Sequence, residues 1–297
     1  MTATRSQGTA VALVVAGLAF QEVGASIAVL LFPTVGPLGM VLLRLAFSAL
    51  ILLAIARPRL RGPGGLFARG RRDVRDVMLF GLVLATMNGL FYLALERLPL
   101  GVTVTIEVLG PLTLSIIASR RASAWAWAGL ALVGVVALGG GGWDRLDPLG
   151  VLFALGAAAS WALYILSSAR VGAAFPKLDG LALAMTFGAL IALPFGIVDA
   201  GGALLQPGIL ALGAAVAVLS STLPYALELI ALRRLAASAF AILMSLAPAT
   251  ASIAGFLLLG QHLTPLEIAG IALVIVASIG AVRSAGRHAR EAVEPIG

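Results

Sequence analysis

Residues 126–140 read AWAGLALVGVVALGG, and residues 267–281 read EIAGIALVIVASIGA. Setting Gly129 against Gly270 also matches Ala128 with Ala269, Ala131 with Ala272, Leu132 with Leu273, Val133 with Val274, Val135 with Val276 and Gly139 with Gly280. A second correspondence at nearly the same offset sets the ALERL around Leu95 and Arg97 against the ALRRL around Leu232 and Arg234, and Pro111 against Pro248. Such a chain folds as two related halves. Both copies are apolar, and an internally duplicated membrane chain points first to a secondary transporter, in which two similar bundles rock around one central site.

With 61% hydrophobic and 11% charged residues, the chain is an integral membrane protein rather than a soluble domain. The absence of cysteine removes disulfides, thiolate metal sites and cysteine nucleophiles, and two isolated histidines, His262 and His288, leave little for a metal centre. No cofactor is expected. A pI near 11.1 invites a nucleic-acid partner, but the arginines lie between apolar spans rather than on one face, and membrane orientation accounts for them better.

A hydrocarbon core about 30 Å thick needs roughly 20 apolar helical residues. Spans of that kind fall at about 9–31, 36–56, 77–95, 100–119, 124–140, 149–168, 178–198, 208–231, 237–259 and 265–283. Alternate loops divide Lys and Arg very unequally. One set holds Arg5, the run Arg57, Arg59, Arg61, Arg69, Arg71, Arg72 and Arg75, then Arg120, Arg121, Arg170, Lys177, Arg233, Arg234, Arg283, Arg287 and Arg290. The opposite set holds only Arg97 and Arg145, beside Glu96, Asp144, Asp147 and Asp199. Basic loops resist translocation, so both termini are expected in the cytoplasm. Five spans precede the second copy, which therefore enters the membrane from the other side. The expected fold is all-α: ten transmembrane helices as two inverted five-helix repeats, residues 9–140 and 149–283, then a cytoplasmic tail at 284–297. The first span is too long for a typical signal-peptide core and counts as a mature helix. The arginine-rich stretch from Arg57 to Asp76 serves topology and meets anionic membrane lipid.

Ionisable side chains inside hydrocarbon cost several kcal/mol and mark function. Glu22, Arg44, Glu107 and Glu228 fall within the spans, and no aspartate does apart from Asp179 at the very edge of the seventh. In EVLGP, Pro111 follows Glu107 by four residues and has no N–H to give, so the carbonyl of residue 107 loses its helical partner. An acid and a freed carbonyl then meet near the membrane midplane, where interrupted helices build transport sites. Arg44 stays charged and needs an acceptor: either a fixed pair with Glu22 or Glu107, or an anionic substrate group. Glu22, flanked by Gln21, Gly24 and Ser26, lines a cavity or serves helix packing. Glu228, near the end of its span, reads as structural.

Asn88 and Tyr92 share one helix face, as do Trp161 and Ile165, with Tyr164 adjacent; these groups recognise a substrate or pack. Ser220, Ser221, Thr222, Pro224 and Tyr225 form a second proline-broken polar segment, in which Pro224 frees the carbonyl of Ser220. Met244, Ser245 and Pro248 repeat the pattern in the ninth span. The fifth and tenth spans, with no ionisable residue at their centres, read as scaffold. No GxxxxGK[ST] phosphate loop is present, so a gradient rather than ATP drives transport, and HExxH, GxSxG and paired intramembrane aspartates are missing, so no enzyme is expected. A channel is disfavoured by the lack of charged rings or a carbonyl filter motif.

The stretches GASIAVLLFPTVGPLGMVLLRLAFSALIL, MNGLFYLALERLPLGVTVTIEVLGPL, WALYILS, LSSTLPYALELIALRRL and LMSLAPATASIAGFLLLGQHLTPLEIAGIALVI resemble the EamA-type drug/metabolite transporter superfamily, and within it the threonine/homoserine exporter branch. The likeness runs from about residue 12 to residue 283. It implies an inner-membrane exporter of small neutral amino acids and related metabolites that works with the proton gradient. Arg44, the Asn88 and Tyr92 face, Glu107 and Glu228 would hold that branch's polar positions. Two departures stand out: Ala247 precedes Pro248 where the branch tends to carry an acid, and Glu22 sits where it is often small. The mechanism so implied is proton antiport through Glu107 by preference and Glu22 second, with Arg44 holding a carboxylate. A broader drug/metabolite exporter or a lipid flippase is the competing expectation.

Overall fold

The structure, a computed structural model, describes residues 2–59, 66, 69–119, 122–138, 146–224, 227, 231, 235 and 237–291, and among them every regular element is helical. α1 (Thr2–Ala56) is nominally one helix, but Gly36 interrupts it at φ 67, ψ 167. The local cause is a pair of prolines. Pro33 removes a ladder donor, Pro37 pushes the residue before it out of the α region, and glycine alone accepts the resulting positive φ easily. The restart is capped from far along the chain. Asp199 Oδ2 accepts from the N–H groups of Leu38 (2.8 Å) and Gly39 (3.3 Å). Asp199→Ala should lower stability by about 1–2 kcal/mol, as lost N-caps do, and Asp199→Asn by less; thermal unfolding in detergent measures both.

α2 (Arg71–Leu95) follows, then α3 (Leu100–Glu107) and α4 (Leu109–Ser119), which are one rod broken at Val108, and α5 (Ala122–Leu138). Next come α6 (Pro148–Ala174), α7 (Asp179–Ala200), a short 3-10 turn (Gly201–Leu205) and α8 (Pro207–Ala217), which runs on into a π turn (Val218–Thr222). α9 (Ala237–Met244), α10 (Ala247–Leu259) and α11 (Pro265–Glu291) complete the described chain. Among the described residues, seven helical segments are long and apolar enough to cross a membrane, the first being Thr9–Ala56, and Trp125–Leu138 and Pro207–Thr222 are shorter apolar helices.

Several helices outrun their apolar stretches. α2 starts at Arg71 rather than near 77, and α11 continues to Glu291 rather than stopping near 283. Hydropathy marks where hydrocarbon ends, whereas backbone hydrogen bonding carries a helix into the polar interface. The surface is inverted relative to a soluble protein: Val198 is 86% and Leu257 70% exposed, as lipid-facing side chains are.

Helix contacts are made by small residues, because without a hydrophobic drive in lipid the backbones must approach closely. A Cβ on Gly134 of α5 would come within 2.8 Å of the Gly270 carbonyl on α11, and one on Gly270 within 2.6 Å of the Gly134 carbonyl. Gly81 and Gly188 bring α2 and α7 together in the same way, a Cβ on Gly81 reaching 2.6 Å from the Ala184 carbonyl. Gly134→Val should cost about 1–3 kcal/mol through overpacking, read as a lower unfolding temperature.

Polar capping is concentrated at the loop ends. Asp147 caps α6 by accepting from Leu149 N (2.8 Å) and Gly150 N (3.4 Å), and Arg97 Nη1 reaches it at 3.1 Å. The hydrogen bond from Arg97 and then those caps hold the Asp147 carboxyl below its ordinary range. Its contribution is therefore present near neutral pH and lost on strong acidification. Gln261 Oε1 accepts from Leu100 N at 2.9 Å at the start of α3, and Thr264 with Glu267 forms a reciprocal capping box at the start of α11.

Candidate functional site

Three helix interruptions converge on one internal cavity of about 200 Å³. Glu107 ends α3 immediately before the break at Val108, as the missing N–H of Pro111 dictates. Ser220 lies in the π turn upstream of Pro224, and Met244 ends α9 before the turn that leads to Pro248 in the first turn of α10. Around these the cavity is lined by Gln21, Glu22 and Ala25 of α1, Arg44 from beyond the Gly36 break, Met87, Asn88 and Phe91 of α2, and Trp161 and Tyr164 of α6.

Arg44 is held by three acceptors. Its Nη2 donates to the Ser220 carbonyl at 3.2 Å, Nε to Ser221 Oγ at 3.4 Å and Nη1 to the Tyr92 hydroxyl at 3.4 Å, with the guanidinium 5.7 Å from the Tyr92 ring centroid. The carbonyl that Pro224 releases from its helix is thus the one that receives a guanidinium N–H. Tyr92 is fully buried and stands behind Arg44, braced by Phe32 and Phe91 at 5.7 and 5.9 Å between ring centroids.

Glu22 is 1% exposed, and neither carboxylate oxygen has a hydrogen-bond partner among the described residues. Burying such a group with its charge uncompensated is expensive. Glu107 and Arg44 are the charged groups that line the same cavity with it. Gly24, two residues on, lets α1 press against the π turn, where a Cβ would lie 3.1 Å from Leu219 Cβ and collide with Ser220 Oγ.

Of the residues singled out in the sequence, Glu22, Arg44, Asn88, Glu107, Trp161, Tyr164 and Met244 line this cavity. Tyr92 reaches it only through Arg44. Pro111 lines a second, mostly apolar cavity of about 370 Å³, separated from the first by Trp161 and Met244, which border both. Pro248 is buried at the start of α10 and lines neither. Tyr225 and Glu228 lie outside the described residues. Ala25, Met87 and Phe91 escaped the sequence reading; Met87 and Phe91 fall on the helical face that carries Asn88, the one signal that points to them.

A profile of the EamA-like transporter family matches residues 148–283. The threonine/homoserine exporter RhtA of Escherichia coli (strain K12) is 40% identical over 283 residues, covering 94% of this chain and 93% of the relative. RhtA of Salmonella typhimurium (strain SL1344) is 43% identical over 268 residues, covering 89% and 88%. A protein of known crystal structure superposes with a TM-score of 0.58 at 19% identity, covering 97% of this chain and 98% of its own, and so shares the fold. The chain is a multi-pass transporter rather than an enzyme, and it belongs to the EamA-like transporter family, alongside the threonine/homoserine exporters RhtA.

Proposed function

We propose that this protein exports threonine, homoserine and related small amino acids across the bacterial inner membrane in exchange for protons. The observation that carries this reading is the cavity that brings one guanidinium, Arg44, together with two carboxylates, Glu22 and Glu107. An amino-acid zwitterion carries one group of each sign: its carboxylate suits Arg44 and its ammonium suits a glutamate. Relatives at 40–43% identity bear the name of threonine/homoserine exporters. A volume of about 200 Å³ lies below the roughly 300 Å³ where drug-sized pockets begin, which favours a small metabolite over a drug.

Alternation would come from ten helices in two inverted repeats. The two short apolar helices and the break at Gly36 would supply the crossings beyond the seven long segments among the described residues. The helix pairing is compatible with a two-fold relation: α2 on α6 would have its counterpart in α1 on α8 and the π turn that follows it, while α3 with α10 and α5 with α11 would relate to themselves. The unequal division of arginines between alternate loops favours cytoplasmic termini.

Glu107 is the preferred proton carrier. It ends a broken helix and is accessible from the cavity, so both a proton and a substrate ammonium can reach it. Glu22 is the alternative carrier. The reading is tested with purified protein in liposomes: an imposed pH difference should drive labelled threonine and homoserine uphill. Downhill-only flux would indicate a channel, and scrambling of labelled lipid a flippase.

A further inference from the structure

α2 and α7 come to near backbone contact at Gly81 and Gly188, and on their outer side they leave a furrow of about 540 Å³. One wall is the α2 stripe Arg71, Arg75, Met78 and Leu82, spaced three or four residues apart, with Val74 beside it; the other is Phe187 and Ile191 of α7. Polarity is confined to one end. Arg69, Arg71 and Arg75 ring the mouth, and everything beyond Arg75 is apolar. Arg69 is fixed in place by its bond to the Ala174 carbonyl (2.6 Å), its stacking on Phe175 (4.2 Å) and Asp73 at 3.7 Å. Arg71 and Arg75 are exposed, with Asp76 3.6 Å from Arg75 as the other nearby acid; neither acid lines the furrow.

From Arg71 to Leu82 the helix rises about 16 Å, close to half of a hydrocarbon core of about 30 Å. Past Ile191 the channel continues as a second apolar hollow of about 290 Å³ along Thr86, Gly89 and Leu93 toward Phe195. Met78, Leu79 and Leu82 are 42–46% exposed, so the groove is open along its length.

We infer that the α2–α7 furrow is a binding site for an anionic glycerophospholipid, with its phosphate between Arg71 and Arg75 and one acyl chain laid along Met78, Leu82 and Ile191. Charge at one end and an apolar trough of one-leaflet depth behind it match that class of molecule, and basic pockets between transmembrane helices hold such headgroups. The site shares no lining residue with the central cavity and is independent of what is transported.

The full-length protein, offered equal amounts of phosphatidylglycerol and phosphatidylcholine with identical chains, is examined by native mass spectrometry. Two arginines should give phosphatidylglycerol a preference of about thirtyfold. The Arg71→Gln, Arg75→Gln double variant should lose that preference while unfolding at the same temperature. Leu82→Trp, at a lipid-facing position, should reduce retention of both lipids by filling the trough. Excess inorganic phosphate should displace nothing. Equal retention of the two lipids by the unaltered protein, an unchanged preference in the double variant, or displacement by phosphate alone would each overturn the assignment.

Discussion

Glu107→Gln protein in liposomes, given a pH difference of one unit, should accumulate no threonine above equilibrium. The unaltered protein should approach about tenfold accumulation, because one proton per substrate across one unit is worth 1.36 kcal/mol. Glutamine keeps the volume and hydrogen bonding of the side chain but carries no proton, so the variant should remain folded and still exchange threonine for threonine. That combination separates lost coupling from lost binding. Accumulation that survives in Glu107→Gln and disappears in Glu22→Gln would move the proton to Glu22, whose buried oxygens lack partners among the described residues.

Arg44→Lys should reduce export about a hundredfold, despite keeping the charge. The guanidinium spans three acceptors on two elements, Ser220 and Ser221 in the π turn and Tyr92 on α2. A lysine ammonium is a point donor that cannot cover all three, and each hydrogen bond to a charged group is worth about 1.5–3 kcal/mol. Initial rates of threonine counterflow measure the effect. If Arg44→Lys keeps a third or more of the rate, only the positive charge is used.

Most of this cavity was legible because its makers are out of place. Glutamate and arginine in apolar spans announce themselves by cost, and Pro111, Pro224 and Pro248 announce where a ladder must open. The destination of a freed carbonyl was not legible: that Ser220 would meet Arg44, 176 residues away, is a property of packing between the halves. Tyr92 and Asn88 share a face, yet only Asn88 lines the cavity, since one turn of helix decides which residue faces space and which faces a neighbour. Met87, Phe91 and Ala25 line it without chemical distinction from the apolar residues around them. The sequence reading ended one span near residue 31 and began the next near residue 36, at the Gly36 break, but the capping of that break by Asp199 left no local trace, as the partners are 161 residues apart.

That cap bears on biogenesis. The helix beginning at Leu38 is synthesised long before residue 199 exists, so its first amides wait without their acceptor while four further segments are laid into the bilayer. A ribosome-released fragment ending before Asp199 should be a short-lived substrate for membrane proteases, and supplying the second half as a separate polypeptide should rescue it.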